Sequence, residues 1–394
     1  MPKNKFKKNI PDGWKFNSIG NVLDYEQPIP YLVQSTNYNN NHKIPVLTAG
    51  KTFILGYTDE KNGIFTNTPV IIFDDFTTAI KYVDFHFKVK SSAMKILKRK
   101  NGTVNLKFVY GWMQIHPFQV GEHKRNYLSE YQYQDVLLPP LFEQNCIVLV
   151  LETWDECLEE LSKKIEIKKN IRKGLMQKLL MCKVRLKGFN GEWEVVRLDD
   201  VGKTYQGITG KNKDDFGKGK QFISYMNIYS NSKLNTQINN LVDIKDNEKQ
   251  NKAKYGDLFF TTSSETPNEV GISSVLLDRN VNNLYLNSFC FGFRLNNFEV
   301  IIPEFAQFYF RGQDFRKQMT RIAQGASRFN LSKKYFLETR IKIPKSQEEQ
   351  KAIAKVLTTA DQEIEALEKK KKIIEAQKKY LLNNLITGKI RIPV

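Results

Sequence analysis

The sequence has few of the residues that build metal and redox centres. It carries four cysteines and four histidines in 394 residues. Cys146, Cys157, Cys182 and Cys290 form no CxxC pair, and His42, His86, His116 and His123 show no ligand spacing. Neither a zinc site nor a disulfide framework is expected, and the cysteines read as reduced and structural. No run of ~18 apolar residues occurs, so no transmembrane helix is expected. The opening MPKNKFKKNIPDGW is basic but has no apolar signal core, which makes the cytoplasm the expected location. Motifs of catalysis are missing too. Gly202-Lys203-Thr204 lacks the earlier glycine of a phosphate-binding loop, and no glycine-rich loop follows a strand. The only Pro-Pro pair, Pro139-Pro140, lies between leucines, without the asparagine and aromatic that an adenine methyltransferase needs to grip a flipped base. Asp243-Ile244-Lys245-Asp246 has the residue types of a nuclease site, but a chain with 26% charged residues produces such groupings by chance. No catalytic residue, metal or cofactor is expected in this chain.

Acidic residues are also in the minority. There are 42 against 61 basic ones, for a formal net charge of +19. A surplus of that size points to a polyanion partner, because lysine and arginine release condensed counterions from phosphates. A generally basic proteome would give the same balance with no such partner. With 41% hydrophobic and 12% aromatic residues, the chain can bury real cores.

What the sequence does have is a long-period duplication. The segment from Glu143 to Leu186 aligns without a gap on Glu349 to Ile392, at an offset of about 206 residues. Matching pairs include Gln144/Gln350, Ile147/Ile353, Leu151/Leu357, Asp155/Asp361, Leu161/Leu367, Leu179/Leu385, Lys183/Lys389 and Arg185/Arg391. Both copies are free of internal proline and rich in Leu, Glu, Lys and Ile, so both read as helices. In the first copy Leu151, Trp154, Leu158, Leu161 and Ile165 step by three and four, the a/d spacing of a coiled-coil seam. The second repeats it with Leu357, Ala360, Ile364 and Leu367. Two matching seams in one chain favour pairing of the helices with each other over two solvated faces. Asp155 and Asp361 follow Thr153 and Thr359 closely, so a short helix is expected to end there and a longer one to begin. Those longer helices would cover Asp155–Leu180 and Asp361–Ile386, ~40–45 Å at 1.5 Å per residue.

Around the helices lie two stretches of short apolar runs split by Asn/Gly turns, from 14 to 142 and from 193 to 345. Both open alike, with GWKFNSIGNVL from Gly13 and EWEVVRLDDVG from Glu192. The expected organisation is α+β. A β-rich domain (1–142), a helix (143–186), a second β-rich domain (187–345) and a second helix (346–394) form an internal repeat with pseudo-twofold character. The chain's start resembles the missing half of the helix-to-domain junction, so in a pseudo-twofold pair the termini would lie close together.

This arrangement resembles the specificity subunits of Type I restriction–modification systems, over essentially the whole chain. The resemblance is carried by LPPLFEQNCIVLVLETWDE, by KGLMQKLL–KVRL with its counterpart LLNNLITGKIRI, and by the openings near Trp14 and Trp193. GDLFFTTSSETPNEVGISSVL, GASRFNLS, PVLTAGKTFILGYTDEKNGIF and IIFDDFTTAIKYVDFHFKVKSSAMKIL resemble pieces of target-recognition domains. It implies a sequence-specific, non-catalytic double-stranded-DNA-binding subunit with two target-recognition domains. Each reads one half of a split site, and an antiparallel pair of helices sets the gap. The implied partners are two methyltransferase subunits using S-adenosylmethionine and restriction subunits using ATP and Mg, with no membrane. The helix seam (Leu151, Trp154, Leu158, Leu161, Ile165, Leu357, Ile364, Leu367) would be the pairing or docking surface. A coiled-coil scaffold that binds nucleic acid without sequence preference is the alternative.

Two departures from the repeat stand out. Met181-Cys182 replaces Thr387-Gly388, and cysteine accepts a left-handed C-cap less readily than glycine, so the first helix is expected to end differently. Lys345-Ser346-Gln347 replaces the proline and leucine that open the first copy. Base edges and phosphates call for polar loop residues, aromatics and cations. In the second β-rich domain these are Thr204, Tyr205, Gln206, Lys211, Tyr225, Asn227, Ser263, Ser264, Thr266, Ser327 and Arg328. In the first they are Thr48, Lys51, Lys90, Ser91, Ser92 and Gln114. For each, a solvated loop or a structural cap is the competing role.

Overall fold

The computed structural model describes residues 10–48, 52–117 and 126–393. The chain divides into two compact units. Unit 1 comprises residues 1–162 and 369–394, and unit 2 comprises 163–368. The division cuts both long helices, so each unit holds the first part of one helix and the last part of the other.

The helices are Leu141–Leu180 and Gln347–Ile386, each 40 residues and unbroken. The expected break at Asp155 and Asp361 is absent. Thr153 and Thr359 do not cap new helices. Their hydroxyls instead donate to the carbonyls four residues back, Leu149 and Lys355, both at 2.9 Å. A threonine bonded in that way sits inside a continuous helix. At 1.5 Å per residue each helix is ~60 Å long, rather than ~40–45 Å. In the second copy Ser346 takes the proline's place as opening residue, and its hydroxyl accepts from the Glu349 amide at 3.3 Å.

Within each unit the helix segments run antiparallel. In unit 2, Lys168 pairs with Glu363 and Arg172 with Asp361, so the numbering rises on one helix as it falls on the other. In unit 1, Lys378 pairs with Asp155. The seam residues are the covered stripe. Leu151, Leu161, Ile165 and Leu357 are buried, and Trp154, Leu158, Ile364 and Leu367 are half-buried.

Each helix start is tied to the other helix's end by the same side-chain knot. In unit 1, Arg391 donates to both oxygens of Glu143 (2.6 and 2.9 Å), and Trp14 Nε1 donates to the same carboxylate at 3.1 Å. In unit 2, Arg185 grips Glu349 (2.6 and 2.7 Å), and Trp193 Nε1 donates at 3.3 Å. Glu143 and Glu349 are 3% and 1% exposed, and the forked arginine satisfies both oxygens of each covered carboxylate. The next residue repeats too. Gln144 accepts from the Asn105 amide and donates to the Pro139 carbonyl, while Gln350 accepts from Ile302 and donates to Pro344. The knot in unit 1 also holds the segment before the first strand, since Arg391 donates to the Asp12 carbonyl at 3.2 Å.

The helix ends match as well, contrary to the expectation from Cys182. Its φ is +54°, against +70° at Gly388. The closing bonds are equivalent, from the Val184 amide to Lys178 and from Ile390 to Asn384, both 3.2 Å. The cap geometry is therefore imposed by the knot and core around it, and cysteine bears the left-handed strain. Cys182→Gly should raise stability by about 0.5–1 kcal/mol, because a left-handed residue with a Cβ costs roughly that much beyond glycine's extra chain entropy. A denaturant midpoint that falls or stays put would show that the cap is unstrained.

The β-rich parts are built alike. Each begins with a strand paired antiparallel to the strand before a long helix, Lys15–Ser18 with Asp135–Leu138 and Trp193–Arg197 with Arg340–Pro344. Each has a four-stranded sheet. The order is Leu23–Glu26, Met94–Arg99, Val70–Asp74, Ile80–Val83 in unit 1 and Gly202–Gln206, Cys290–Leu295, Leu258–Thr261, Ser273–Val275 in unit 2. Each has a three-stranded sheet with one antiparallel and one parallel pairing. In both units the main core is continuous with the helix ends. Phe108, Trp112 and Val136 cluster with Ile147, Leu151, Leu385 and Ile386. Phe260, Phe308 and Phe336 cluster with Leu179, Leu180, Ile353 and Leu357.

Candidate nucleic-acid interface

Unit 2 gathers one group of the candidate residues. The short strand Ser263–Ser264 pairs with Phe329–Leu331, which sets Ser263 opposite Asn330. The loop before that strand carries Ser327 and Arg328, both exposed. Its turn needs a glycine, since a Cβ on Gly325 (φ +140°) would lie 2.0 Å from the Arg328 carbonyl. Arg328 Nε donates to the Ser263 hydroxyl at 2.8 Å. Ser264 donates to Glu269 at 2.6 Å, Tyr229 donates to the other oxygen of Glu269 at 3.1 Å, and Tyr225 stacks on Tyr229 at 6.1 Å. These two hydroxyl donors pull the Glu269 carboxyl below its usual value. Thr266 is exposed, with its amide on the Ser264 hydroxyl. The result is a surface of hydroxyls, one guanidinium and an aromatic. Those groups can pair with base edges and phosphates.

Three other unit 2 candidates, Tyr205, Lys211 and Asn227, have internal roles. Tyr205 donates to Asp257 at 2.8 Å, and Arg294 lies over its ring at 4.9 Å while gripping the same aspartate. Burial pushes the Tyr205 phenol well above its ordinary range. Its neighbours Thr204 and Gln206 are half-buried and exposed. Lys211 is largely covered and bonds Glu248 at 2.6 Å, which helps draw that carboxyl down to about 2. Asn227 closes a loop, accepting from the Asn235 amide and donating to its carbonyl.

In unit 1, Thr48 and Lys90 follow the parallel strands Ile44–Leu47 and Lys88–Val89, and the Lys90 amide donates to the Leu47 carbonyl at 2.8 Å. Ser91, which accepts from the Ala93 amide, and exposed Ser92 continue this edge. Lys51 lies outside the described residues. Gln114 stands apart. It sits on the helix Leu106–Ile115 and lines a cavity of about 490 Å³ with Glu152, Asp155, Glu156 and Glu159, surroundings unsuited to a phosphate.

The sequence reading passed over Phe289, 61% exposed, whose carbonyl accepts from the Thr262 amide beside Ser263. An exposed aromatic in a loop has no periodic signature, so no sequence pattern marks it. Among the described residues no group of His, Cys, Asp and Glu could hold a metal, and no helix is long and apolar enough to cross a membrane.

Comparison with known proteins gives one family. Residues 190–376 match the Type I restriction modification DNA specificity domain. The chain is 42% identical over 212 residues to the EcoR124I/EcoR124II specificity subunit of Escherichia coli, a match that covers 50% of this chain and 51% of that subunit. In that match the chain thus spans about half of its relative's length. It is 26% identical to the MjaVIII specificity subunit of Methanocaldococcus jannaschii, over 97% of this chain and 94% of that one. The fold resembles the crystal structure of a Type I restriction–modification S subunit from M. genitalium, with TM-score 0.58, 18% identity and 98% of both chains covered. The sequence match in the second half and the near full-length relative agree in kind: this chain is similar to the DNA specificity subunits of Type I restriction–modification systems.

Proposed function

We propose that this chain reads a two-part DNA target, one half-site per unit, and supplies the address for methyltransferase and restriction subunits that dock on it. The observation that carries this reading is the duplication of a complete unit. Knot, glutamine clasp, paired strands and both sheet orders all recur, and the loops differ. A duplicated scaffold with divergent loops suits two readers of different sequences. The net charge of +19 suits a duplex partner. Methyl transfer and cleavage belong to the partners, with S-adenosylmethionine and ATP/Mg bound there, and the assembly acts in the cytoplasm. Base contacts are proposed for Tyr225, Ser263, Ser264, Thr266, Ser327 and Arg328 in unit 2 and for Thr48, Lys90, Ser91 and Ser92 in unit 1.

Replacing residues 193–345 with the matching segment of another family member should change one half-site and leave the other intact. The readout is adenine methylation mapped across a genome that expresses the chimera with its methyltransferase. Change in both half-sites would sink the two-reader proposal, and loss of all sequence preference in the parent would favour a nonspecific scaffold.

A further inference from the structure

A cavity of about 630 Å³ opens in unit 2 between the last turns of the first long helix and the segment 307–316. Arg172, Lys173, Gln177, Gln307, Arg311 and Arg316 line it, with Ser230 and Ser232, and no carboxylate is among the lining residues. Arg172 has a counter-charge in Asp361. Among the described residues the other two guanidinium groups are held by carbonyls alone. Arg311 donates to Ile228, Tyr229, Asn231 and Ser273 at 2.6–3.0 Å. Arg316 donates to Asn268 and Val270 at 2.7 Å, and its Nη1 is buried with no partner among the described residues. A carbonyl satisfies a donor but does not neutralise the charge, and a covered cation without a counter-ion is costly. Burial, with mutual repulsion at Arg311, pulls both groups down to about 10, so both remain cationic at neutral pH.

The repeat supplies a control. At the offset of about 206, Arg172 and Met176 correspond to Lys378 and Leu382, which line the cavity of unit 1. That cavity carries four carboxylates beside Lys107 and Lys378. The fold therefore does not require a lining free of carboxylates at this place, and the uncompensated basic version is particular to unit 2.

We infer that the unit 2 cavity is an oxyanion site that takes a phosphate group. Forked guanidinium donors, an ammonium, two serine hydroxyls and the amides of Gln177, Gln307 and Gln313 match an ion that accepts on several oxygens at once. The phosphate comes either from solution or from a DNA backbone.

The test uses the full chain with inorganic phosphate, in chloride buffer of matched ionic strength, read by equilibrium dialysis or phosphorus NMR. Lys173 is exposed, so Lys173→Glu puts a carboxylate at the mouth without disturbing the core. Saturable uptake is expected, displaced by sulfate and weakened at least about tenfold in Lys173→Glu. Arg316→Gln should weaken it as much. A second arm measures duplex affinity against salt. A slope reduced by about one in Lys173→Glu identifies a backbone phosphate as the source, and an unchanged slope identifies free phosphate. Absent uptake, or uptake that Lys173→Glu leaves intact, overturns the site whatever the slope.

Discussion

Phe336→Ala should cost unit 2 about 3–5 kcal/mol, the range for removing a fully buried aromatic. Phe336 is completely buried, and its ring meets Phe260 at 4.7 Å, Phe291 at 5.0 Å and Phe293 at 5.4 Å between centroids. The lesion should stay in one unit, because the core of unit 1 is a separate cluster around Phe108, Trp112 and Tyr131. Amide exchange measured by mass spectrometry should quicken by roughly two to three and a half orders of magnitude across the sheets of 193–345, at 1.4 kcal/mol per tenfold. Protection across 14–138 should hold. The proposed reading surface would be lost with it, since strand Phe329–Leu331 and helix Lys333–Glu338 adjoin in the chain, and Leu331 and Phe336 share the core cluster. Equal loss of protection in both units would mean that they fold as one, against the division into separate readers.

The long helices were legible in the sequence because their signal is redundant. Leu151/Leu357 and Leu161/Leu367 recur at one offset, and proline is missing from both segments. The knots were half legible. Trp14 and Trp193 mark the two openings, and Arg185 and Arg391 align. A repeat shows which residues are equivalent, however, not which copy bonds which. The bond from Arg391 to Glu143 spans 248 positions, and only the folded chain displays it. The helix break was misread because threonine followed by aspartate suits a cap and a helix interior alike, and the i−4 hydroxyl bond decides it only in place. Cys182 shows the limit of local propensity. Its own preference opposes a left-handed φ, and the surroundings override it. The proposed reading surface was least legible. Asn227, Lys211 and Tyr205 have the residue types of DNA contacts, yet their polar atoms serve Asn235, Glu248 and Asp257. Residue type tells that a side chain makes polar bonds, and geometry tells to whom.

The helix pair also gives the largest expected change in target sequence. We propose that it sets the number of unread base pairs between half-sites. Both helices run from one unit into the other, and each is fastened at its start by Glu143 or Glu349 to the arginine that follows the other's end. A turn added to one helix alone would leave it longer than its partner between the same two knots. The informative variant therefore carries four extra residues in both, after Ser162 and after Glu368. Four residues add ~6 Å along the axis and rotate the seam by only ~40°, so the a/d stripes stay nearly in register. At 3.4 Å per base pair the unread gap should grow by about one to two positions, while both half-site sequences stay the same. Two extra residues in each helix rotate the stripes by ~200°, turning Leu161 and Ile165 outward and charged faces inward, and methylation should be lost. Mapping methylated adenines genome-wide for each variant separates the outcomes. An active four-residue variant with an unchanged gap would show that the helices join the readers without measuring the distance between them.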